Sequence, residues 1–307
     1  MNELQNQIIA LKNERNAVIL AHNYVPGEIQ EIADFTGDSL ELSIKAAQIN
    51  APIIVMCGVK FMAETAKLLS PNSTVILPCP DAGCPMADMA NSEDICKMRA
   101  AHPDAVFVAY VNTTAETKAE VDICCTSGNA EKIIKSIPKD KEIIFLPDRN
   151  LGTNMTDLLN RPMTYWQGCC PIHDLVTPET ILKAKAAHPN AKVMIHPECR
   201  PEAVAVADVA LSTAGMLKYI KESGATEFIV ATEIGILHRM RKENPNFSFY
   251  ALDPEPVCID MKKFTLEKVY NALKDLNPEI TIPEDIAKKP LKQSITCLLL
   301  SKKSLFR

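Results

Sequence analysis

Residues 17–24 read AVILAHNY, a short apolar run that ends in polar residues, and this pattern decides the fold because it occurs three times. AVFVAYVN at residues 105–112 and AKVMIHPE at residues 191–198 repeat it, at intervals of 88 (105 − 17) and 86 (191 − 105) residues. Apolar runs of this length are typical of strands buried in a parallel sheet. The period therefore predicts a fold built from three similar units.

Each unit contains two more apolar runs, which predict a second and a third strand. The second strand is predicted in APIIVMCG, EIIFLPD and EFIVATE, which begin at Ala51, Glu142 and Glu227. The third is predicted in STVILPCP, MTYWQGCC and FSFYALDPEPVC, which begin at Ser73, Met163 and Phe247. Strands that alternate with helical patterns indicate parallel sheets. We predict the α/β class, with three homologous αβα domains in pseudo-threefold symmetry around a central active site.

Two sets of polar residues mark where helices are predicted to begin. The first set of predicted N-caps precedes the first helical pattern of each unit and consists of Ser39, Ser127 and Thr213. Their separations of 88 (127 − 39) and 86 (213 − 127) residues follow the same period. The second set lies near the end of each unit and consists of Asn91, Thr177 and Thr265. Side chains of these types accept hydrogen bonds from the first N–H groups of a helix.

The repeat also sets the predicted domain boundaries. The first domain covers residues 1–98 and begins with an amphipathic helix, the second covers 99–186, and the third covers 187–263. Residues 264–307 follow the third unit and are predicted to pack back onto the first. From about Pro290 the sequence fits no part of the repeat, and Cys297 lies out of phase with it.

One cysteine stands at an equivalent point of each unit, after the third predicted strand. These are Cys84, Cys170 and Cys258, separated by 86 (170 − 84) and 88 (258 − 170) residues. Three thiolates from three units can meet on a common axis, and they suit an iron–sulfur cluster with one unprotected iron. The chain has eleven cysteines but no Cys-x-x-Cys, which disfavours zinc ribbons and ferredoxin-type clusters. For most of the other cysteines, simple packing is the expected role.

Composition excludes several classes of protein. The net charge of −5 predicts no broad basic surface, so nucleic acid is not an expected partner. No apolar run approaches the roughly 20 residues of a membrane helix, and the N-terminus does not resemble a secretory signal. We therefore expect a cytoplasmic location, where cysteines stay reduced. No Gly-x-Gly-x-x-Gly follows a first strand, which disfavours a dinucleotide dehydrogenase.

Polar side chains end the first strand of every unit. They are His22 and Tyr24 in the first unit, Tyr110 and Asn112 in the second, and His196 and Glu198 in the third. The carboxyl ends of parallel strands form the crevice in which ligands bind. We expect these side chains to face one central cavity together with the three cysteines.

The sequence resembles the quinolinate synthase family over residues 17–263. The resemblance rests on an ordered set of motifs: AHNY (21–24), GDSL (37–40), GVKFMAETAK (58–67), AGCPMAD (82–88), YVN (110–112), TSGNA (126–130), PDRNLG (147–152), GCCPIH (168–173), HPEC (196–199), STAGM (212–216) and ATEIG (231–235). It implies three αβα domains around a [4Fe–4S] cluster, with Cys84, Cys170 and Cys258 as ligands. It also implies condensation of iminoaspartate with dihydroxyacetone phosphate to quinolinate, phosphate and two waters. An L-aspartate oxidase or dehydrogenase that supplies iminoaspartate is an expected partner.

The same resemblance gives roles to single residues. Glu198 is the expected base, its pKa raised by burial, and Tyr24, His22 and Tyr110 are expected to assist proton transfer. The expected substrate-binding residues are His22, Ser39, Tyr110, Asn112, Ser127, His196, Glu198, Thr213, Lys60 and Met62. His102, His173 and His238 are predicted to be structural. The chain departs from the family at Ile259 and Asp260, where Pro and Asn are frequent.

Two other readings of the three cysteines stay open on sequence alone. One is an enzyme that binds zinc through the same thiolates. The other is a non-catalytic iron–sulfur carrier or redox sensor, which needs an exposed cluster and no convergent acid–base residues. The set of Tyr, His and Glu at the strand ends favours the enzyme.

Overall fold

A computed structural model describes residues 2–287 of the chain and contains three parallel β-sheets of four strands each. The strands are β1 Ala17–His22, β2 Phe35–Gly37, β3 Ile53–Cys57, β4 Thr74–Ile76, β5 Val106–Tyr110, β6 Ile123–Cys125, β7 Ile143–Leu146, β8 Thr164–Tyr165, β9 Lys192–Ile195, β10 Val209–Ala210, β11 Glu227–Ala231 and β12 Ser248–Ala251. The prediction of an α/β chain with three parallel sheets is confirmed.

The three sheets have the same strand order, β2-β1-β3-β4, β6-β5-β7-β8 and β10-β9-β11-β12. The central strands β1, β5 and β9 are the apolar runs that begin the repeats, and their side chains are largely buried. The edge strands β2, β6 and β10 are absent from the prediction, because two or three residues carry too little periodicity to indicate a strand. Each edge strand forms by pairing with the neighbouring central strand. In the first sheet, for example, Phe35 of β2 pairs with Leu20 of β1.

Helices cover the sheets and connect the strands. They are α1 Glu3–Glu14, α2 Gly27–Ile32, α3 Ser39–Gln48, α4 Lys60–Leu69, α5 Pro85–Asp88, α6 Ser92–Ala101, α7 Ala115–Lys118, α8 Ala130–Ser136, α9 Arg149–Leu159, α10 Pro171–Asp174, α11 Pro178–Ala187, α12 Pro201–Val204, α13 Thr213–Glu222, α14 Ile236–Glu243, α15 Leu266–Asp275 and α16 Glu284–Ala287, with a 3-10 helix at Asp260–Lys263. The predicted caps Asn91, Thr177 and Thr265 each accept a main-chain hydrogen bond at the start of α6, α11 and α15, and that prediction is confirmed.

The other predicted caps are wrong by one or two residues. Ser39 and Thr213 are the first residues of α3 and α13, and the capping side chains are those of Asp38 and Ser212. Ser127 lies two residues before Asn129, which occupies the N-cap position of α8. Each site has two nearby residues of a type that can cap a helix. The path of the chain after the edge strand determines which of the two occupies the N-cap position.

The segment after the third unit returns to the first, as far as the structure describes it. Helix α15 packs against α1 and contacts β3. Ile280 donates its N–H to the carbonyl of Val75 at 2.8 Å, and Leu77 donates to Pro278 at 3.1 Å. Residues 288–307, including Cys297, lie outside the described residues. None of the helices in residues 2–287 is both long enough and apolar enough to cross a membrane.

Candidate functional site

One cavity of about 270 Å³ is lined by residues from all three sheet units. The first unit contributes His22 and Tyr24, the second Tyr110, and the third His196 and Glu198. All five side chains are at least nine-tenths buried. Each follows or ends the central strand of its sheet, so the strand ends meet as expected for parallel sheets. The structure therefore brings the acid–base candidates of the sequence into one place.

The three in-phase cysteines line the same cavity. Cys84 precedes α5, Cys170 precedes α10, and Cys258 precedes the 3-10 helix at Asp260–Lys263. The main-chain N–H of the residue three positions later lowers the pKa of each thiol. These N–H groups belong to Ala87 for Cys84, His173 for Cys170 and Met261 for Cys258. N–H groups near cluster sulfurs stabilise thiolates and are among the factors that set the potential of iron–sulfur clusters.

The described residues contain one compact group that could hold a metal ion, and the cysteine trio is more widely spaced than that group. Burial raises the pKa of all three thiols, that of Cys84 to about 12, so a bound cation is needed to keep them as thiolates. Two sulfurs on one zinc lie at most about 4.6 Å apart, because the Zn–S distance is about 2.3 Å. Within residues 2–287 one group of three potential ligands lies within 4.8 Å, namely Cys170, His173 and Glu198, and the cysteine trio does not meet that limit.

Glu198 is the centre of the polar contacts in the cavity. Its Oε1 accepts a short hydrogen bond from the hydroxyl of Tyr110, and its Oε2 lies 2.8 Å from Nδ1 of His173. The same Nδ1 is 3.2 Å from Sγ of Cys170. His173 is 2 % exposed. His173, which the sequence analysis predicts to be structural, thus lies between the carboxylate and a predicted cluster ligand.

A chain of hydrogen bonds continues from His173 to the other tyrosine. His173 Nε2 is 2.8 Å from Oγ1 of Thr232, and that oxygen is 2.7 Å from the hydroxyl of Tyr24. If Nδ1 of His173 carries the proton that faces Glu198, Nε2 accepts from Thr232, and Thr232 accepts from Tyr24. Five buried side chains from three units thus connect Tyr24 to Tyr110 through one carboxylate.

The charge state of Glu198 differs from the one that the sequence predicts. Burial by itself raises the pKa of this carboxyl, but the neighbouring His196 and His173 and the hydrogen bonds from His173 and Tyr110 outweigh it, and the pKa is lowered. The prediction of a raised pKa is wrong because it counted burial without the donors that tertiary structure supplies. At neutral pH the side chain is therefore an ionised carboxylate that accepts hydrogen bonds.

Two histidines in the cavity are neutral at pH 7. Burial is the largest cause, and it lowers the pKa of both His22 and His196 to about 3. Neutral imidazoles can both donate and accept hydrogen bonds, so they suit a site that binds carboxylates and moves protons.

The two buried histidines make the metal-free protein sensitive to acid. Below pH 6.5 the unfolded chain takes up protons on His22 and His196 that the folded chain does not, so stability falls as the pH drops from 6.5 towards 3. Each histidine removes about 1.4 kcal/mol per pH unit in that window. Urea unfolding at several pH values checks this. His22→Gln should lose less stability than the wild type between pH 6.5 and 4.5, and parallel curves for the two proteins contradict the assignment.

Comparison with known proteins identifies the family. The family model described as quinolinate synthetase A protein matches residues 6–298. The chain belongs to the quinolinate synthetase A protein family. It is 50% identical over 286 residues to a quinolinate synthase of Methanoregula boonei, covering 93% of this chain and 94% of that protein. It is 47% identical over 298 residues to one of Geotalea uraniireducens, covering 97% of each chain, and 50% identical over 291 residues to one of Desulforudis audaxviator, covering 95% and 96%.

Membership of the quinolinate synthetase A family makes this chain an enzyme and extends the sequence resemblance in both directions. The motifs indicate residues 17–263, and the family match reaches residue 298. The segment from Pro290 to residue 298, which none of the quoted motifs reaches, therefore lies within the family match.

The remaining predicted binding residues divide into two groups in this family member. Ser39, Asn112, Ser127 and Thr213 line the cavity, and Oδ1 of Asn112 is buried without a hydrogen-bond partner. Lys60 and Met62 are not among the lining residues. The side chain of Lys60 is 61% exposed and lies 3.9 Å from Glu64, while Met62 is buried within α4. Their neighbour Phe61 faces the cavity instead.

Several lining residues escaped the sequence analysis. They are Asp38, Thr126, His173 and Glu233, and behind them lies Thr232. Asp38 is the N-cap of α3, and burial raises its pKa to about 6. Thr232 and Glu233 follow β11 within the motif ATEIG, so the rule that polar residues at strand ends face the crevice could have identified them. For His173 the available signal was its position three residues after Cys170, on the first turn of a helix.

Proposed function

We propose that this chain is a quinolinate synthase that condenses iminoaspartate with dihydroxyacetone phosphate to give quinolinate, phosphate and two waters. The observation that carries the proposal is the convergence of Cys84, Cys170 and Cys258 on one cavity with a hydrogen-bonded Glu198. Family membership and the relatives named quinolinate synthase support the same activity. We further propose a pseudo-threefold arrangement of the three units around this site.

The three cysteines are proposed to hold a [4Fe–4S] cluster. When bound through three protein ligands, such a cluster supplies an open iron that acts as a Lewis acid toward a substrate hydroxyl or carboxylate. Among the described residues the cysteine trio is not a group of ligand atoms within 4.8 Å of one another, which favours a cluster over one shared zinc-type ion, and the main-chain N–H groups near the three sulfurs favour the thiolate form. An L-aspartate oxidase or dehydrogenase is the expected supplier of iminoaspartate.

Anionic substrates are proposed to bind through neutral donors. Two carboxylates and a phosphate must enter a buried site, and none of the described residues that line it is a lysine or an arginine. The available donors are the hydroxyls and N–H groups at the starts of α3, α8 and α13 and the side chains at the strand ends: Ser39, Ser127, Thr213, His22, His196 and Asn112. Helix N-termini favour negative charge, which suits phosphate and carboxylate groups.

Proton transfer is proposed to use both tyrosines and the groups between them. Glu198 accepts a proton, and Tyr110 donates a hydrogen bond to an oxygen that develops negative charge. On the other side, a proton can move between Tyr24 and Glu198 through Thr232 and His173. The condensation needs protons removed from carbon and delivered to two leaving hydroxyls, and one connected chain serves both demands.

Thr232→Val tests the connected chain. Valine has nearly the same shape as threonine but offers no oxygen, so it breaks the path between His173 and Tyr24 without opening a cavity. We expect kcat to fall by about 10- to 100-fold with little change in KM. The double variant with Tyr24→Phe should be no slower than the slower single variant. Additive losses in a double-mutant cycle contradict a shared path.

Anaerobic purification followed by an activity assay tests the proposed function as a whole. We expect a brown protein with about four iron and four sulfide per chain, which forms quinolinate from iminoaspartate and dihydroxyacetone phosphate. A colourless protein with stoichiometric zinc favours the zinc enzyme. A protein with a full cluster and no quinolinate formation favours the carrier or redox sensor, and either outcome contradicts the proposal.

A further inference from the structure

Two of the three turns that carry the in-phase cysteines donate a main-chain N–H to an acidic side chain, and a third acidic side chain lies beside the remaining turn. Cys258 N donates to Oε1 of Glu233 at 3.1 Å. Gly83 N, directly before Cys84, donates to Oδ1 of Asp260 at 3.1 Å. At the third turn the N–H of Cys170 favours the ionised form of the fully buried Asp148, while Oδ1 of Asp148 accepts a hydrogen bond from Leu151 N at 3.0 Å. No function assigned above uses these three carboxylates.

The acidic residues come from two different places in the fold. Asp148 and Glu233 each stand two residues after the end of the second central strand of their own unit, β7 or β11. The equivalent position after β3 is Val59, which cannot accept a hydrogen bond. The first unit therefore lacks an acid of its own, and Asp260 of the third unit takes that place.

Asp260 belongs to a short segment that connects the third unit to the first. Lys263 Nζ lies 2.8 Å from Oδ1 of Asp260 and donates to the carbonyl of Asp81 at 2.6 Å. Lys262 Nζ lies 2.7 Å from Oε1 of Glu233 and donates to the carbonyl of Tyr24 at 2.6 Å. The segment that follows Cys258 thus forms hydrogen bonds with both the turn of Cys84 and the main chain of Tyr24 in the first unit.

We propose that Glu233 and Asp260 are positioning residues that fix the turns of Cys258 and Cys84, and that Asp260 sets the position of Cys84 relative to Cys258. The inference rests on the proposed function for the identity of the bound group. The carboxylates contact main-chain N–H groups, so they act on the sulfurs through the backbone. Gly83 N also donates to the carbonyl of Asp81 at 3.1 Å within its own turn, and the bond to Asp260 is the one that crosses between units.

Asp260 is the best position for an experiment because two donors share one of its oxygens. Gly83 N and Lys263 Nζ both reach Oδ1, so Asp260→Asn keeps an acceptor for both, whereas Asp260→Ala removes it. The matched control is Asp81→Asn, which changes a carboxylate 3.5 Å from the same lysine but leaves the Gly83 N–H untouched. The side chain of Asp260 is 21% exposed, so its truncation opens little buried space.

The first readout is the rate at which the anaerobic holoenzyme loses iron to a chelator, followed by its visible absorbance. Loss of partners that orient metal ligands typically weakens metal binding 10- to 100-fold. We expect Asp260→Ala to lose iron about tenfold faster than the wild type, and Asp260→Asn and Asp81→Asn to stay within about twofold. Equal rates for Asp260→Ala and the wild type overturn the proposal. An Asp260→Asn protein as labile as Asp260→Ala also overturns it, because charge rather than the hydrogen bond would then be responsible.

The second readout needs no cluster. In the metal-free protein, maleimide labelling of Cys84, quantified by peptide mass spectrometry, should be about fivefold faster in Asp260→Ala than in Asp81→Asn, since a released turn exposes its thiol. Unchanged labelling contradicts the positioning role. If the wild type holds no iron–sulfur group, the proposed function fails in the absorbance experiment, while labelling still decides whether Asp260 holds the turn.

Discussion

Cys170→Ser protein, purified without oxygen, should retain little iron and form no quinolinate. A serine hydroxyl stays protonated and binds iron weakly, so removal of one of three thiolates leaves the cluster with two anchors. Of the three predicted ligands, Cys170 is also the one in contact with His173, so its loss disturbs the proton-transfer chain as well. Iron and sulfide counts and the visible spectrum measure the first effect, and the quinolinate assay measures the second.

The adjacent residue provides the control. Cys169 precedes Cys170, is half-buried, and does not line the cavity. Cys169→Ser therefore should keep a full complement of iron and near-normal turnover. Loss of iron in Cys169→Ser with retention in Cys170→Ser would reverse the ligand assignment, and retention in both would remove Cys170 from the metal site altogether.

Glu198→Gln should abolish turnover while leaving the cluster spectrum unchanged. Glutamine keeps the shape of the side chain and can still accept from Tyr110, but its amide is a far weaker base and cannot carry the negative charge that His173 faces. General acid–base groups typically contribute 10²- to 10⁴-fold to a rate, so we expect kcat to fall by about that factor. Single-turnover assays of quinolinate formation are sensitive enough to measure the activity that remains.

Two further measurements make the Glu198 experiment decisive. Glu202→Gln, which changes an exposed carboxylate four residues later, should behave as the wild type. The ratio of iron to protein must match in all three proteins, so that a loss of rate cannot come from a lost cofactor. Turnover of Glu198→Gln within a few-fold of the wild type would exclude Glu198 as the base.

The repeat explains why so much of this site could be predicted. Strand positions are local properties of apolar runs, and equivalent positions in three units converge whenever the units pack about one centre. The assignments that used only this periodicity placed Cys84, Tyr24, Tyr110 and Glu198 correctly at the cavity. Lys60 is expected to bind substrate only because of the resemblance to the family. Its side chain is exposed and does not line the cavity.

What sequence could not supply were the contacts between units. The pKa of Glu198 depends on His173 and Tyr110, which lie 25 (198 − 173) and 88 (198 − 110) residues earlier, and burial alone predicted the wrong direction. The role of Thr232 depends on Tyr24, more than 200 residues away. A period reveals which positions are equivalent, but it does not reveal which partners meet across an interface.

By itself, the sequence determined the three parallel sheets, the phase of the three cysteines and the polar strand ends, because each follows from short-range patterns of apolar and polar residues. Only the tertiary structure decided the protonation of Glu198, the chain of hydrogen bonds from Tyr24 to Tyr110, and the hydrogen bond between Asp260 and Gly83 in the turn before Cys84. These features depend on the distance between atoms that are remote in the chain, and electrostatic and hydrogen-bond energies change steeply over a few ångströms.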